Sequence, residues 1–170
     1  MSSSHDKTVF SAELMAAFDR ETAKYPAEQR QSAVMACLAH VQQAFGYVSP
    51  QSESALADYL RMPAIAVHEV TTFYNMYNQE PVGRFKINVC TNLPCQLRGG
   101  LEALNRICKK LSIEPGQTSK DGLITVQAAE CMGACADAPV LLVNDVNMCS
   151  FMESEKIDRL LEGLKQEAHS

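Results

Sequence analysis

The sequence has no long apolar run. Its longest uninterrupted one extends from Ala33 to Ala39, and Ala138 to Val143 is similar, both far short of the ~20 residues that cross a bilayer, so no direct membrane insertion is expected. Positive charge is scarce too. With 15 Lys and Arg against 20 Asp and Glu, the formal net charge is −5, the wrong sign for a nucleic-acid footprint. The first ten residues contain neither the apolar core of a signal peptide nor the arginines of a transit peptide, which points to a cytoplasmic chain. No G-x-G-x-x-G or Gly-rich phosphate loop occurs, so no nucleotide or flavin site is expected on this chain. No C-x-x-C occurs either, and with it goes the usual motif of thiol–disulfide exchange.

Cysteine is what the chain has in plenty. Seven are present, an odd number that fits a disulfide framework poorly where the cytosol keeps thiols reduced. Cys90-Thr91-Asn92-Leu93-Pro94-Cys95 and Cys131-Met132-Gly133-Ala134-Cys135 form two clusters. Each begins where an apolar run stops. Phe85, Ile87 and Val89 alternate with Lys86 and Asn88 before the first pair, the pattern of a half-buried strand. Leu123 to Val126 precedes the second pair, and Val140 to Val143 follows it. Cys37 and Cys108 fall on apolar helical stripes and read as small core residues, and Cys149 reads as a packing residue in a strand.

Hydrophobic content of 46% with 21% charged residues is that of a folded chain, and the periodicity divides it in two. Residues 1–10 read as a polar tail. From 11 to 80 the spacing is helical. Ser11 and Ser49-Pro50 are start signals, Pro26 opens a helix that stops at Gly46, and Met62-Pro63 separates the last two helices. Phe45 in the second helix and Ile65, Val70 and Phe73 in the fourth are expected to face inward. Pro81-Val82-Gly83 marks the change to alternation. Residues 81–170 then read β-α-β-β-β-α, with a helix carrying Leu101, Leu104, Ile107, Cys108 and Leu111 on one face. A hairpin turns at Asn144-Asp145, and a final helix has Glu153, Glu155 and Asp158 favouring its positive end. The fold class is α+β, a helical bundle followed by an α/β domain.

The cysteine spacing is C-x4-C, a long gap, then C-x3-C. Two irons bridged by two sulfides need two thiolates each, which two separated pairs supply. Zinc is the main competitor, although structural zinc sites favour a tight C-x2-C knuckle absent from this chain. Unligated redox thiols are a third reading. Gly99, Gly100 and Gly133 would let backbone N–H groups approach the sulfurs, and Pro94 and Pro139 would stiffen the loops. No histidine adjoins either pair, and His5, His40, His68 and His169 lack a second ligand at helical spacing.

Phe85 to Cys95 together with Ala129 to Cys135 resembles the thioredoxin-like 2Fe–2S subunits (the 24 kDa type) of bacterial NADH:quinone oxidoreductase, respiratory complex I. Val70-Thr71-Thr72-Phe73-Tyr74 resembles that family's V-x-T-F-Y segment, Pro81-Val82-Gly83 its linker, and Glu114 to Thr118 one of its loops, so the likeness covers about residues 12–165. The resemblance implies a thioredoxin-like 2Fe–2S domain after the helical bundle. Cys90 and Cys95 would bind one iron, and Cys131 and Cys135 the other. It implies as partners a flavoprotein that binds FMN and NADH, and a larger iron–sulfur subunit of the same peripheral arm, which would hold the chain at the inner membrane. The same module also serves NAD-linked hydrogenases and formate dehydrogenases. Asn147 to Phe151 departs from the pattern, with Met148 and Cys149 where an aromatic strand pair is expected.

Overall fold

A computed structural model describes residues 9–168. The chain divides into two compact units between Pro81 and Val82.

The first unit is helical. α1 (Ala12–Thr22) leads through a 3-10 segment (Ala27–Ala33) to α2 (Val34–Phe45), α3 (Pro50–Leu60) and α4 (Ala64–Phe73). The Ser11 hydroxyl accepts the Leu14 N–H at 3.2 Å and the Ser49 hydroxyl that of Ser52 at 3.1 Å, so both starts are capped by side chains. Gly46 ends α2 at φ +80°. Phe18, Leu38, Val41, Leu56 and Val67 form the core. Cys37 lies in it, and burial pushes its thiol pKa up to about 12, leaving an inert packing group.

Several expectations are corrected here. The second helix does not begin at Pro26. Residues 27–33 stay in the 3-10 form because this polar stretch has no apolar stripe to bury, and Arg30 instead stacks on the Tyr59 ring at 4.2 Å. Phe10, placed in the tail, is buried against Phe18 with centroids 5.1 Å apart. Phe45, Ile65 and Phe73, expected inside, are exposed, Phe73 by 79%. α4 instead buries Val67 and Thr71. The cause is Glu53, a carboxylate buried on α3, which accepts the Thr71 hydroxyl and lies 2.9 Å from His68 Nδ1. A buried carboxylate must find partners, and that requirement turns α4. His5 and His169 lie outside the described residues.

The second unit comprises β1 (Phe85–Cys90), α5 (Leu93–Leu97), α6 (Gly100–Leu111), β2 (Ile124–Ala129), β3 (Leu141–Val143), β4 (Asn147–Cys149) and α7 (Ser154–Ala168). The sheet order is β2-β1-β3-β4. β1 and β2 are parallel, with Cys90 opposite Ala129, and the other pairings are antiparallel. Ile87 and Val89 of β1, with Ile124, Val126 and Leu141, pack against Leu104 and Ile107 of α6 and Ile157 and Leu161 of α7. Cys108 joins this core, and its thiol pKa is raised by burial.

β1 is not the half-exposed strand its alternation suggests, since all six residues are buried. It is central in the sheet, and Asp145, from the β3–β4 turn, closes its polar side. Lys86 Nζ lies 2.8 Å from Asp145 Oδ2, and the Asn88 amide donates to Oδ1 at 2.7 Å. On α6, Leu101 is exposed and Ala103 buried, a rotation of the expected stripe. Asp158 does not serve its own helix's dipole. It takes a two-pronged hydrogen bond from Arg106 at 3.0 and 2.6 Å, with Lys110 at 2.7 Å, tying α7 to α6.

Candidate metal centre

Both cysteine loops leave the same end of the sheet because β1 and β2 are parallel and in register to Cys90 and Ala129. Cys90 is the last residue of β1 and donates its backbone N–H to Val140 O at 3.1 Å. Cys95 sits in α5, a five-residue helix that alternation reasoning missed because it is too short to show a period. Both are 1% exposed and share a small apolar cluster with Ala138 and Val140. α6 packs directly over them. A Cβ on Gly100 would lie 2.6 Å from Cys90 O and 2.9 Å from Cys95 O, so this glycine serves close backbone packing, not sulfur contact.

The second pair is built differently. Cys131 and Cys135 are exposed, in a loop between β2 and a 3-10 turn (Cys135–Asp137). Gly133, at φ +75°, turns its N–H onto the Cys131 sulfur at 3.4 Å. The 150–152 segment holds the far end of the loop. Ser150 Oγ donates to Asp137 Oδ2 at 3.0 Å and the Phe151 N–H to Asp137 O at 2.8 Å.

The thiols meet in pairs. The sulfurs of Cys131 and Cys135 are 3.9 Å apart, about twice a disulfide bond. Tetrahedral thiolates on a bond of about 2.3 Å stand about 3.8 Å apart, so this pair fits two ligands of one metal. Burial first, then a hydrogen bond from Cys90, pushes the Cys95 thiol pKa up, while the Val140 N–H pulls it down. For Cys135 the hydrogen bond with Cys131 is the main cause of an upward shift. Cys135 is also close enough to Cys90 and Cys95 for their charges to interact. Without metal each pair therefore keeps a proton that a bound cation would expel. Among the described residues no three Cys, His, Asp or Glu side chains gather for a single ion. Two-and-two is the donor set a binuclear centre needs.

The sequence profile of the thioredoxin-like [2Fe-2S] ferredoxins matches residues 18–165. The chain belongs to that family. The fold is accordingly α+β with a thioredoxin-like ferredoxin unit, and the family's cofactor is one 2Fe–2S cluster. Among curated relatives, NADH-quinone oxidoreductase subunit 2 of Thermus thermophilus is 36% identical over 143 residues, 84% of this chain and 79% of its own. An NADH-quinone oxidoreductase subunit of Rickettsia prowazekii is 39% identical over 141 residues, 82% of this chain and 78% of its own. A crystal structure of NAD+-reducing [NiFe]-hydrogenase superposes with a TM-score of 0.64 at 25% identity over 76% of this chain. This chain spans only 23% of that hydrogenase chain.

The lone cysteines stay outside the centre. Cys149 pairs with Leu141 between β4 and β3, and burial raises its thiol pKa. The strand that departs from the family pattern thus forms all the same. His40 and His68 each face a carboxylate, Glu21 at 3.4 Å and Glu53 at 2.9 Å.

Proposed function

We propose that this chain is the electron-transfer subunit of an NADH:quinone oxidoreductase, holding one 2Fe–2S cluster on Cys90, Cys95, Cys131 and Cys135. The observation that carries the reading is the parallel β1–β2 pair, which releases both cysteine loops at one sheet end with the thiols grouped two and two. When bound, the cluster supplies single-electron exchange, the complement of a flavin that takes two electrons from NADH. The residues divide the remaining work. Cys90 and Cys95, buried with Ala138 and Val140, keep water from one side of the centre. Cys131 and Cys135, exposed, turn the other side outward, where a partner's redox group must approach. The Gly133 N–H at the Cys131 sulfur favours extra negative charge there.

FMN and NADH would be bound by a flavoprotein partner, and a larger iron–sulfur subunit would complete the arm. Among the described residues no helix is long and apolar enough to cross a membrane, so attachment to the inner membrane would run through those partners, on the cytoplasmic side. The hydrogenase superposition favours a second reading, the same module in the diaphorase part of an NAD-linked hydrogenase. The 36% and 39% identities to quinone-oxidoreductase subunits rank it second.

The test is iron and sulfide analysis with EPR on anaerobically purified protein. About two irons and two sulfides per chain are expected, with a rhombic signal after reduction. Cys131→Ala should abolish it and Cys37→Ala leave it intact. One zinc per chain, or equal loss from both substitutions, would overturn the ligand assignment. Co-purification with a flavoprotein decides the assembly, according to whether quinone-reductase or hydrogenase subunits come with it.

A further inference from the structure

The two cysteine loops are joined beyond the end of the sheet. The β1–β2 ladder stops at Cys90 and Ala129, yet Thr91 continues it. Its N–H donates to Ala129 O at 3.0 Å and its hydroxyl to the same oxygen at 3.3 Å. One step further, the side chains take over, and Asn92 Nδ2 donates to Glu130 Oε2 at 3.1 Å. Asn92 lies between the first two cysteines, and Glu130 immediately precedes Cys131.

Asn92 stands at the N-cap of α5, with the extended backbone (φ −67°, ψ 158°) that such a residue adopts. Asparagine there ordinarily accepts a hydrogen bond from its own helix. Here it makes none and reaches across to the other loop instead. The exposed loop, seated on the cluster of Cys90, Cys95, Ala138 and Val140 only through the partly buried Met132 and Ala134, thereby gains a side-chain tie to the buried one at the residue where it begins.

We propose that Asn92 and Glu130 are positioning residues, a latch that sets the separation of the two cysteine pairs and slows loss of the cluster. The inference rests on the ligand assignment above only for its second clause. Its first clause concerns the loops alone and is testable whether or not iron is present.

The experiment compares Asn92→Ala, Asn92→Ser, Glu130→Ala, Glu130→Gln and the Asn92→Ala/Glu130→Ala double variant in the full chain. Hydrogen–deuterium exchange is read in residues 129–135, and cluster bleaching is timed in an iron chelator. Asn92→Ala should speed exchange in the second loop, although the substitution lies in the first, by about two- to fivefold. Glu130→Ala should do the same, and the double variant should add nothing beyond either single. Glu130→Gln keeps an oxygen acceptor and should restore wild-type behaviour. Asn92→Ser could cap α5 but is too short to reach Glu130, so it should behave as Asn92→Ala. Bleaching rates should follow the same order.

Rescue by Asn92→Ser would mean that the residue acts through its helix, and would overturn the latch. So would multiplicative single effects, or Glu130→Gln as damaging as Glu130→Ala. Unchanged exchange in every variant sinks it outright. If the anaerobically purified wild type carried no iron while exchange across the variants still followed this order, the ligand assignment and the second clause would fall and the tie between the loops would stand.

Discussion

The two cysteine pairs supply the same chemistry from opposite mechanical situations. Cys90 and Cys95 are buried on a strand end and a short helix, with α6 pressed against their carbonyls. Cys131 and Cys135 are exposed on a glycine loop whose shape is set by hydrogen bonds at its two ends. Packing positions the first pair, whereas the second adds polar contacts at its ends to a partial apolar seat through Met132 and Ala134. A centre held this way has one face that excludes water and one that a partner can reach. The buried side also tolerates volume change poorly, whereas the exposed side can relax.

Four substitutions test that contrast, and a fifth tests the α6–α7 tether behind the first pair. The largest effect is expected for Gly100→Ala, whose Cβ has no room against two backbone carbonyls. It should cost about 3 kcal/mol or more in the second unit, lowering its denaturation midpoint and emptying the cluster. Wild-type iron content in this variant would mean that α6 can shift freely and that the first pair is not held by packing. Next come Cys95→Ser and Cys135→Ser, measured without iron. Both should lose the cluster, but only Cys95→Ser places a hydroxyl in an apolar pocket, at about 1–2 kcal/mol. Equal melting temperatures of the two metal-free variants would erase the distinction between the pairs.

Gly133→Ala is milder. Nothing lies within 4 Å of the added Cβ, and the strain comes from φ +75° alone, about 1 kcal/mol. The chain should fold and bind iron, with an altered EPR line shape from the displaced N–H. The smallest effect concerns the tether of α6 to α7. Arg106 first and Lys110 second hold the Asp158 carboxyl at about 2, below its ordinary range. Its contribution is therefore present above about pH 4 and lost as pH falls through about 4 toward 2. Asp158→Asn should lower stability at pH 7, flatten its fall with acid in that window, and differ little from the wild type near pH 2. An unaltered acid limb would show that the tether adds nothing.

Local pattern made much of this protein legible. Ser11, Ser49-Pro50 and Gly46 announced helix ends because capping is a property of a few adjacent residues. The runs before the cysteines announced β1 and β2 for a similar reason. Less legible was anything decided by a distant partner. Ile65 and Phe73 look like core residues, and only the buried Glu53 on another helix turns them out. Lys86 and Asn88 look solvated, and Asp145, far along the chain, meets them where they are buried. α5 was hidden by its brevity, and Gly100 was read as facing sulfur when it faces carbonyls.

The residue order alone determined the chemistry available: two thiol pairs at strand ends, no nucleotide loop, helices before sheet. Spacing and residue type are carried by the chain itself, so they survive without coordinates. The tertiary structure decided which pair is buried, which loop bears the amide on sulfur, and that Asn92 forgoes its own helix for Glu130. Those outcomes depend on which backbone arrives opposite which. That is fixed by the parallel register of β1 and β2, a long-range pairing that no window of adjacent residues contains.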